Sequence, residues 1–255
     1  MSAYALEALA FGAHPDDVEI FCGGTLITLA DLGHRTAVVD LTRGERASNG
    51  TPEEREAETA AASRVLGLQW RENLGLPDTG LNPWSDDQLR ACVEAIRRAR
   101  PELLLIPWTE ERHPHHAAAG ELLARAAFFC GVRKFETGAS SPALPMRPRQ
   151  VLAYAMRHRM PASFILDTSK AMERKREAIS CYRSQVAPPA GAARTLVGSG
   201  TLLDAIDARD RYHGSMIGTA AGEAWHTAGT LGLVDPVIHF RQNALAEPHA
   251  FESKR

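Results

Sequence analysis

The sequence predicts an α/β protein: one domain with a mostly parallel sheet, helices on both faces of the sheet, and a C-terminal extension. In the first half of the chain, strand-length apolar runs alternate with helical patterns, as in parallel sheets built from β–α–β units. The run Leu103 to Ile106 is uninterrupted aliphatic, which is typical of a strand covered on both faces. A length of 255 residues, of which 44% are apolar, suits a folded globular chain.

The first strand, helix and second strand follow one another closely. Leu6 to Ala13 is a short apolar run that ends at a His-Pro pair and is predicted to be a strand. Val18 to Leu32 has helical spacing and stops at Gly33, where a C-capping glycine is expected. Thr36 to Leu41 is a second buried strand.

Two further helices are predicted from their caps. Thr51 begins a Thr-Pro-Glu-Glu sequence, an N-cap followed by Pro and Glu at favoured positions, and the helix is expected to run to about Leu66. Ser85 repeats this capping pattern for a helix through Arg100, which Pro101 ends. The arginines in the last turn suit the negative end of the helix dipole, so we expect them to be structural.

The rest of the chain is predicted from shorter patterns. We expect a helix at Ala117 to Phe129, a loop at Thr137 to Arg149, strands at Val151 to Met156 and Phe164 to Asp167, helices at about Lys170 to Tyr182 and Thr201 to Tyr212, and a connection at Ala187 to Gly200. The alternating charges of residues 173–177 predict a solvated helix face. The prediction is a single domain, 1–255, with a strand–helix core at 1–135 that carries the site and an extension at 136–255 that could cover the active face.

Composition excludes several classes of protein. The chain has 29 Lys plus Arg against 31 Asp plus Glu, a net charge of −2, which argues against a nucleic-acid partner. We find no run of about 18 apolar residues, so no membrane partner is expected, and the N-terminal run lacks the positive region of a secretory signal. The four cysteines are far apart, as reduced thiols are in cytoplasmic proteins.

A polar cluster, His14-Pro15-Asp16-Asp17, stands where the first strand ends, at the edge where parallel sheets bind ligands. His14 and Asp17, spaced i to i+3, can face one ion and leave the carboxylate of Asp16 free. Alternatively, Asp16 or Asp17 caps the following helix and Pro15 shapes the turn.

A second cluster, residues 111–116, follows the strand Leu103 to Ile106 and offers three imidazoles. Two polar clusters converging on one edge are difficult to explain as helix caps, so we predict a metal site. In a zinc hydrolase the metal lowers the pKa of its bound water to about 7, a carboxylate removes the proton, and a cation stabilises the oxyanion. The assignments are His14, Asp17 and His116 for Zn²⁺, Asp16 for the general base, and His113, if protonated, for the oxyanion. A carboxylate ligand also admits Fe²⁺, Mn²⁺ or Co²⁺.

Several motifs carry a resemblance to a known family. Residues 13–19 (AHPDDVE), 23–24 (GG), 42–45 (TRGE) and 112–116 (RHPHH) resemble the PIG-L/LmbE family of zinc-dependent N-acetylglucosamine deacetylases. Residues 48–55 (SNGTPEER), 182–185 (YRSQ) and 208–214 (ARDRYHG) further resemble its bacillithiol-pathway branch, which removes acetyl from N-acetylglucosaminyl malate. The resemblance spans most of the chain.

The resemblance implies a Rossmann-like fold, the same ligand set and base, a small-molecule N-acetylglucosaminyl conjugate as partner, and a trimeric or hexameric homo-oligomer. It also directs attention to Arg55 and Arg112, whose guanidinium groups suit the carboxylates of malate. This chain departs from the family at one position, since His115 stands where the family has Asp. An Asp there would orient His113 and keep it protonated, so its loss is expected to lower the pKa of His113 or to pass the role to another acid.

Together these observations predict a zinc-dependent hydrolase that converts the acetamide of N-acetylglucosaminyl malate to amine and acetate in bacillithiol biosynthesis. One alternative within the family is another N-acetylated sugar or a thiol conjugate as substrate. Another is a ligand-binding module without catalysis, although such a module has no need of Asp16. A dinucleotide enzyme is disfavoured because no G-x-G-x-x-G follows the first strand.

Overall fold

Seven strands form a single mixed sheet in the computed structural model, which describes residues 5–155, 160–227, 229–232, 234–235 and 237–238. The strands are β1 (Leu6–Gly12), β2 (Thr36–Asp40), β3 (Trp70–Asn73), β4 (Pro101–Pro107), β5 (Gln150–Tyr154), β6 (Phe164–Asp167) and β7 (Gly222–Thr227). Their order is β3-β2-β1-β4-β5-β7-β6. The first five strands run parallel, whereas β7 is antiparallel to both β5 and β6.

Helices cover both faces of this sheet. They are α1 (Asp17–Asp31), α2 (Pro52–Leu66), α3 (Asp86–Ala99), α4 (Pro114–Phe129), α5 (Met172–Ser180), α6 (Arg183–Val186) and α7 (Leu202–Met216). Because side chains alternate along a strand, Leu9 and Phe11 of β1 enter the core beside α3 and α4. Ala8 and Ala10 enter the opposite core, beside α1, α5 and α7. The α/β fold class predicted from the sequence is therefore confirmed.

The point where the strand order reverses lies between β1 and β4. β2 and β4 both pair with β1, so the chain crosses from one side of β1 to the other. Loops that leave the carboxyl ends of such neighbouring strands diverge and form a crevice. The two polar clusters found in the sequence leave the sheet here, after Gly12 and after Pro107.

Most element boundaries agree with the sequence to within a few residues. The predicted capping box is present, since Glu54 N–H donates to the hydroxyl of Thr51 and the Glu54 carboxylate accepts from Thr51 N–H. The structural role expected for the arginines ending α3 holds for Arg97, whose guanidinium donates to four backbone carbonyls at residues 129–135. Among the described residues, no helix has the length and apolar character that crossing a bilayer requires.

Two local predictions need correction, and a third extends beyond the described residues. The sequence did not indicate β3 or β7, because both carry polar residues that are satisfied within the fold, such as Arg71 paired with Asp40 and Glu19. The helix expected at Lys170 to Tyr182 begins as a 3₁₀ turn at Ser169–Ala171 and continues as α5, which ends at Ser180. The short helix α6 follows it as a separate element. Of the strand expected at Val151 to Met156, the last residue lies outside the described residues.

We expect Gly120→Ala to destabilise the protein and to disturb the crevice. Gly120 lies in α4 against the end of β4, and an added Cβ would lie 2.6 Å from the carbonyl oxygen of Pro107 and 2.9 Å from that of Trp108. Since backbone atoms give way poorly, α4 has to move, at a cost of about 1–3 kcal/mol. Urea unfolding measures the loss. Gly229→Ala is the matched control, because its Cβ meets nothing within 4 Å, and an equal cost at both glycines would contradict this explanation.

Candidate metal centre

The polar clusters at the ends of β1 and β4 meet in the structure. Residues 13–16 connect β1 to α1, which begins at Asp17. Residues 108–113 connect β4 to α4, and His113 is the N-cap residue of that helix. The rings of His14 and His116, one from each connection, have their centroids 5.4 Å apart.

The three predicted ligands are arranged as a donor set for a metal. Nδ1 of His14 lies 3.4 Å from Oδ2 of Asp17, and Nε2 of His116 lies 3.2 Å from Oδ1 of the same carboxylate. Ligands about 2.0–2.1 Å from a tetrahedral zinc lie roughly 3.3 Å from one another. One donor atom from each of these three residues lies within 4.8 Å of the other two, so the set fits a small divalent cation.

The electrostatics of the cluster also favour a cation. Burial opposes charge on His14, but Asp17 and Asp78 raise the pKa of its imidazole to about 10. Although burial alone would raise the pKa of Asp17, His116 and His14 hold it well below its usual range. Positive charge at this point therefore stabilises the buried carboxylates. A divalent cation supplies more of that charge than a protonated imidazole ring does.

Asp16 lies beside this donor set with its carboxylate free of the helix. It is the N-cap residue of α1, but its side chain makes no capping hydrogen bond. Its backbone is left-handed, with φ 103°, a strained conformation for a residue other than glycine. Burial raises the pKa of Asp16 to about 7, against the opposing charge of Arg55, whose Nη2 lies 3.3 Å away. A carboxylate with this pKa can exchange protons near neutral pH.

His113 is held by the start of α4 and is neutral. Its Nδ1 accepts the backbone N–H of His115 at 3.2 Å, so the proton of the neutral ring is on Nε2. Burial, together with the charges of His116 and His14, lowers the pKa of His113 to about 4. The positive charge that the sequence suggested for His113 is therefore not supported, although its Nε2–H can donate a hydrogen bond.

His115, the departure from the family motif, has its side chain near His14. Its Nδ1 lies 3.0 Å from Nε2 of His14 and 3.4 Å from Oδ1 of Asp78. It meets His113 through its backbone N–H. The sequence did not single out Asp78, which follows the unpredicted strand β3 and reaches the same edge of the sheet.

A cavity of about 320 Å³ opens beside the donor set. Arg55 and Arg112 both line it, but Arg55 is 4% exposed and also donates to the carbonyl of Pro15. The connection at 187–200 contributes Thr195, Leu196 and Val197 to the wall. Asn49 holds this connection in place. Its side-chain amide donates to the carbonyl of Ala193 and accepts from the backbone N–H of the same residue, both at 3.0 Å. Part of the extension thus borders the cavity.

Of the six histidines outside the cluster, three lie within the described residues: His34, His213 and His226. His213, in α7, is not among the residues lining this cavity, and within the described residues its buried Nδ1 has no hydrogen-bond partner. His158, His239 and His249 lie outside the described residues.

The comparison with known families covers the part of the chain that carries both polar clusters. The family described as PIG-L, GlcNAc-PI de-N-acetylase, matches residues 9–127, a span that contains both polar clusters. The chain belongs to the PIG-L family. The PIG-L match ends within α4, so β5, β6 and β7 lie beyond it.

Curated relatives of this PIG-L chain include two bacterial proteins. The Escherichia coli (strain K12) protein named "Uncharacterized deacetylase YaiS" is 32% identical over 115 residues, 43% of this chain and 62% of that protein. The 2'-N-acetylparomamine deacetylase of Streptomyces fradiae is 30% identical over 132 residues, 42% of this chain and 47% of that protein. The matches thus span less than two thirds of either relative.

Solved structures resemble the PIG-L chain over most of its length. The conserved protein TT1542 from Thermus thermophilus is 36% identical, with a TM-score of 0.80 over 90% of this chain and 97% of that one. The N,N'-diacetylchitobiose deacetylase from Pyrococcus horikoshii is 22% identical, with a TM-score of 0.75 over 88% and 84%. The second likeness is evidence of shared fold only.

Proposed function

We propose that this PIG-L protein hydrolyses the acetamide of an N-acetylglucosaminyl conjugate to an amine and acetate, with N-acetylglucosaminyl malate as the substrate. The observation that carries the proposal is the meeting of His14, Asp17 and His116 as a donor set beside the free carboxylate of Asp16. A protein that only binds a metal or ligand needs the donor set alone, whereas an amide hydrolase also needs a general base beside it. The names of the family and of the two curated relatives support de-N-acetylation.

In this proposal His14, Asp17 and His116 hold Zn²⁺. When bound, the metal supplies a Lewis acid that polarises the amide carbonyl and acidifies water. Asp16 takes a proton from the attacking water and can return it to the leaving amine, because its pKa of about 7 permits both transfers. His113 donates its Nε2–H to the oxygen on which negative charge develops, and it does so as a neutral ring.

The choice of malate rests on the cations at the cavity wall. Arg46, Arg55 and Arg112 all line the cavity, and guanidinium groups suit a dicarboxylate. Because Arg55 is committed to Asp16 and Pro15, we assign Arg112 the larger share of substrate recognition. A cytoplasmic location, a homo-oligomeric assembly and a place in bacillithiol biosynthesis belong to the same proposal.

The test is release of primary amine from N-acetylglucosaminyl malate by zinc-loaded protein, with a chelated sample as the blank. We expect metal-dependent release of amine. The kcat/KM for the malate conjugate should be at least about tenfold above that for methyl N-acetylglucosaminide, because one charge-assisted hydrogen bond to a malate carboxylate contributes about that much. Arg112→Met should remove this preference and leave the rate on the methyl glycoside unchanged. Equal rates on both substrates would refute the malate assignment, and no release from any N-acetylated sugar by zinc-loaded protein would refute the deacetylase.

A further inference from the structure

Three side chains from separate segments meet at the nitrogen of His14 that faces away from Asp17. Nε2 of His14 lies 3.0 Å from Nδ1 of His115 and 3.4 Å from Oδ1 of Asp78. Nδ1 of His115 is itself 3.4 Å from the same oxygen of Asp78. Because His14 is one of the proposed zinc ligands, an inference from these contacts rests on the proposed function.

The positions of the ring protons determine which neighbour can accept a hydrogen bond from His14. The backbone N–H of Leu81 donates to Nε2 of His115 at 3.2 Å, so that nitrogen carries a lone pair. The proton of the neutral ring is then on Nδ1, and His115 presents a donor toward His14 and Asp78. With the metal on Nδ1 of His14, as proposed above, the proton of that ring is on Nε2, and Asp78 is the neighbour that can accept it.

The chain holds Asp78 firmly in this place. Its side chain is 7% exposed, and Oδ2 accepts the backbone N–H of Arg46 at 2.9 Å while Oδ1 accepts that of Thr79 at 2.8 Å. Thr79 has φ +64°, a strained value for a β-branched residue. Strain of this kind persists where the surroundings fix a conformation, and it is enriched at functional sites.

We propose that Asp78 is a positioning residue that accepts the Nε2–H of His14 and thereby turns Nδ1 of His14 toward Asp17 as the metal-binding nitrogen. His115 completes the arrangement by donating its Nδ1–H to the same oxygen. Metal-binding histidines commonly donate their second N–H to a carboxylate, which fixes the ring and raises its basicity, and loss of such a partner typically costs about 10–100-fold in metal affinity. The carboxylate that supports the site thus comes from the loop after β3.

The experiment measures zinc affinity by competition with a chromogenic chelator, with no substrate present. We expect Asp78→Ala to weaken zinc binding by about 10–100-fold, and Asp78→Asn, whose amide oxygen still accepts a hydrogen bond, to weaken it less. The Co²⁺-loaded Asp78→Ala protein should also show shifted ligand-field bands. Asp210→Asn is the matched control, since Asp210 is also buried, at 3% exposure, and pairs with Lys175, and it should keep wild-type affinity.

Three outcomes would overturn this inference. Wild-type affinity and an unchanged Co²⁺ spectrum in both Asp78 variants would show that the carboxylate does not act through His14. Two zinc ions in the wild type and one in Asp78→Ala would make Asp78 a ligand of a second ion, together with His14 and His115. A wild-type protein that binds no zinc would refute the proposed function and this inference together, whereas the first two outcomes leave the proposed function standing.

Discussion

Asp16→Asn should reduce kcat by about 10²–10⁴-fold, the usual contribution of a general base, while zinc stays bound. The substitution removes the proton-accepting carboxylate and keeps the size and shape of the side chain. Asn tolerates left-handed backbone better than most residues, so the φ of 103° at this position can be retained. The amide oxygen can still accept from Arg55, 3.3 Å away in the wild type, which limits structural loss.

The measurements for Asp16→Asn are steady-state kinetics, zinc content and thermal unfolding on the same preparation. His116→Ala is the informative comparison, because it should lose zinc and activity together, whereas Asp16→Asn should lose activity alone. If Asp16→Asn with one bound zinc kept more than about a tenth of wild-type kcat, Asp16 would not be the base. If it lost zinc as well, Asp16 would belong to the ligand set.

The convergence of the two clusters was predictable because it depends on topology. His14 and Asp17 follow β1, and His113 and His116 follow β4. Adjacent parallel strands end at one edge, so recognising two buried strands was enough to bring these residues together. The roles assigned to them stay predictions until the variants are measured.

The contacts that the sequence did not predict depend on packing between segments that are distant along the chain. Asp78 reaches His14 only because β3 pairs with β2 and sets the following loop at the edge of the sheet, and β3 has the polar sequence Trp-Arg-Glu-Asn. Arg55 was assigned to substrate from its place in a motif, yet its helix carries the guanidinium inward to Asp16. Neither contact follows from spacing along the chain.

The charged run 173–177 shows the same limit. Its alternating charges predicted a solvated helix face, but Lys175 is 2% exposed and its Nζ lies 2.5 Å from Asp210 and 2.6 Å from Glu223. Glu223 in turn accepts from the backbone N–H groups of Gly24 and Thr25 in α1. A buried lysine thus joins α5, α7 and β7 to the helix that begins at the metal centre, and periodicity cannot reveal partners 35 and 48 residues away.

Lys175→Met should destabilise the protein by about 3 kcal/mol at pH 7, the usual cost of leaving a buried charge without its partner. Met fills a similar volume, so the loss reflects charge and not a cavity. Urea unfolding at pH 7 measures it. Arg174→Met is the matched control one residue earlier, because Arg174 is 39% exposed and pairs with a half-exposed Asp31, and its loss should cost less than about 1 kcal/mol.

The pH dependence of this loss distinguishes a charge effect from a packing effect. Although burial opposes it, Lys175 holds the pKa of Asp210 below its usual range. In the wild type, the ion pair of Asp210 with Lys175 stabilises the fold above about pH 4, the ordinary carboxyl range. This stabilisation is lost as the pH falls through the lowered pKa of Asp210. In Lys175→Met burial acts with less opposition, so the pKa of Asp210 rises and protonation relieves the charge. The destabilisation should therefore be largest at pH 7 and shrink toward pH 4, whereas a packing defect would cost the same at both.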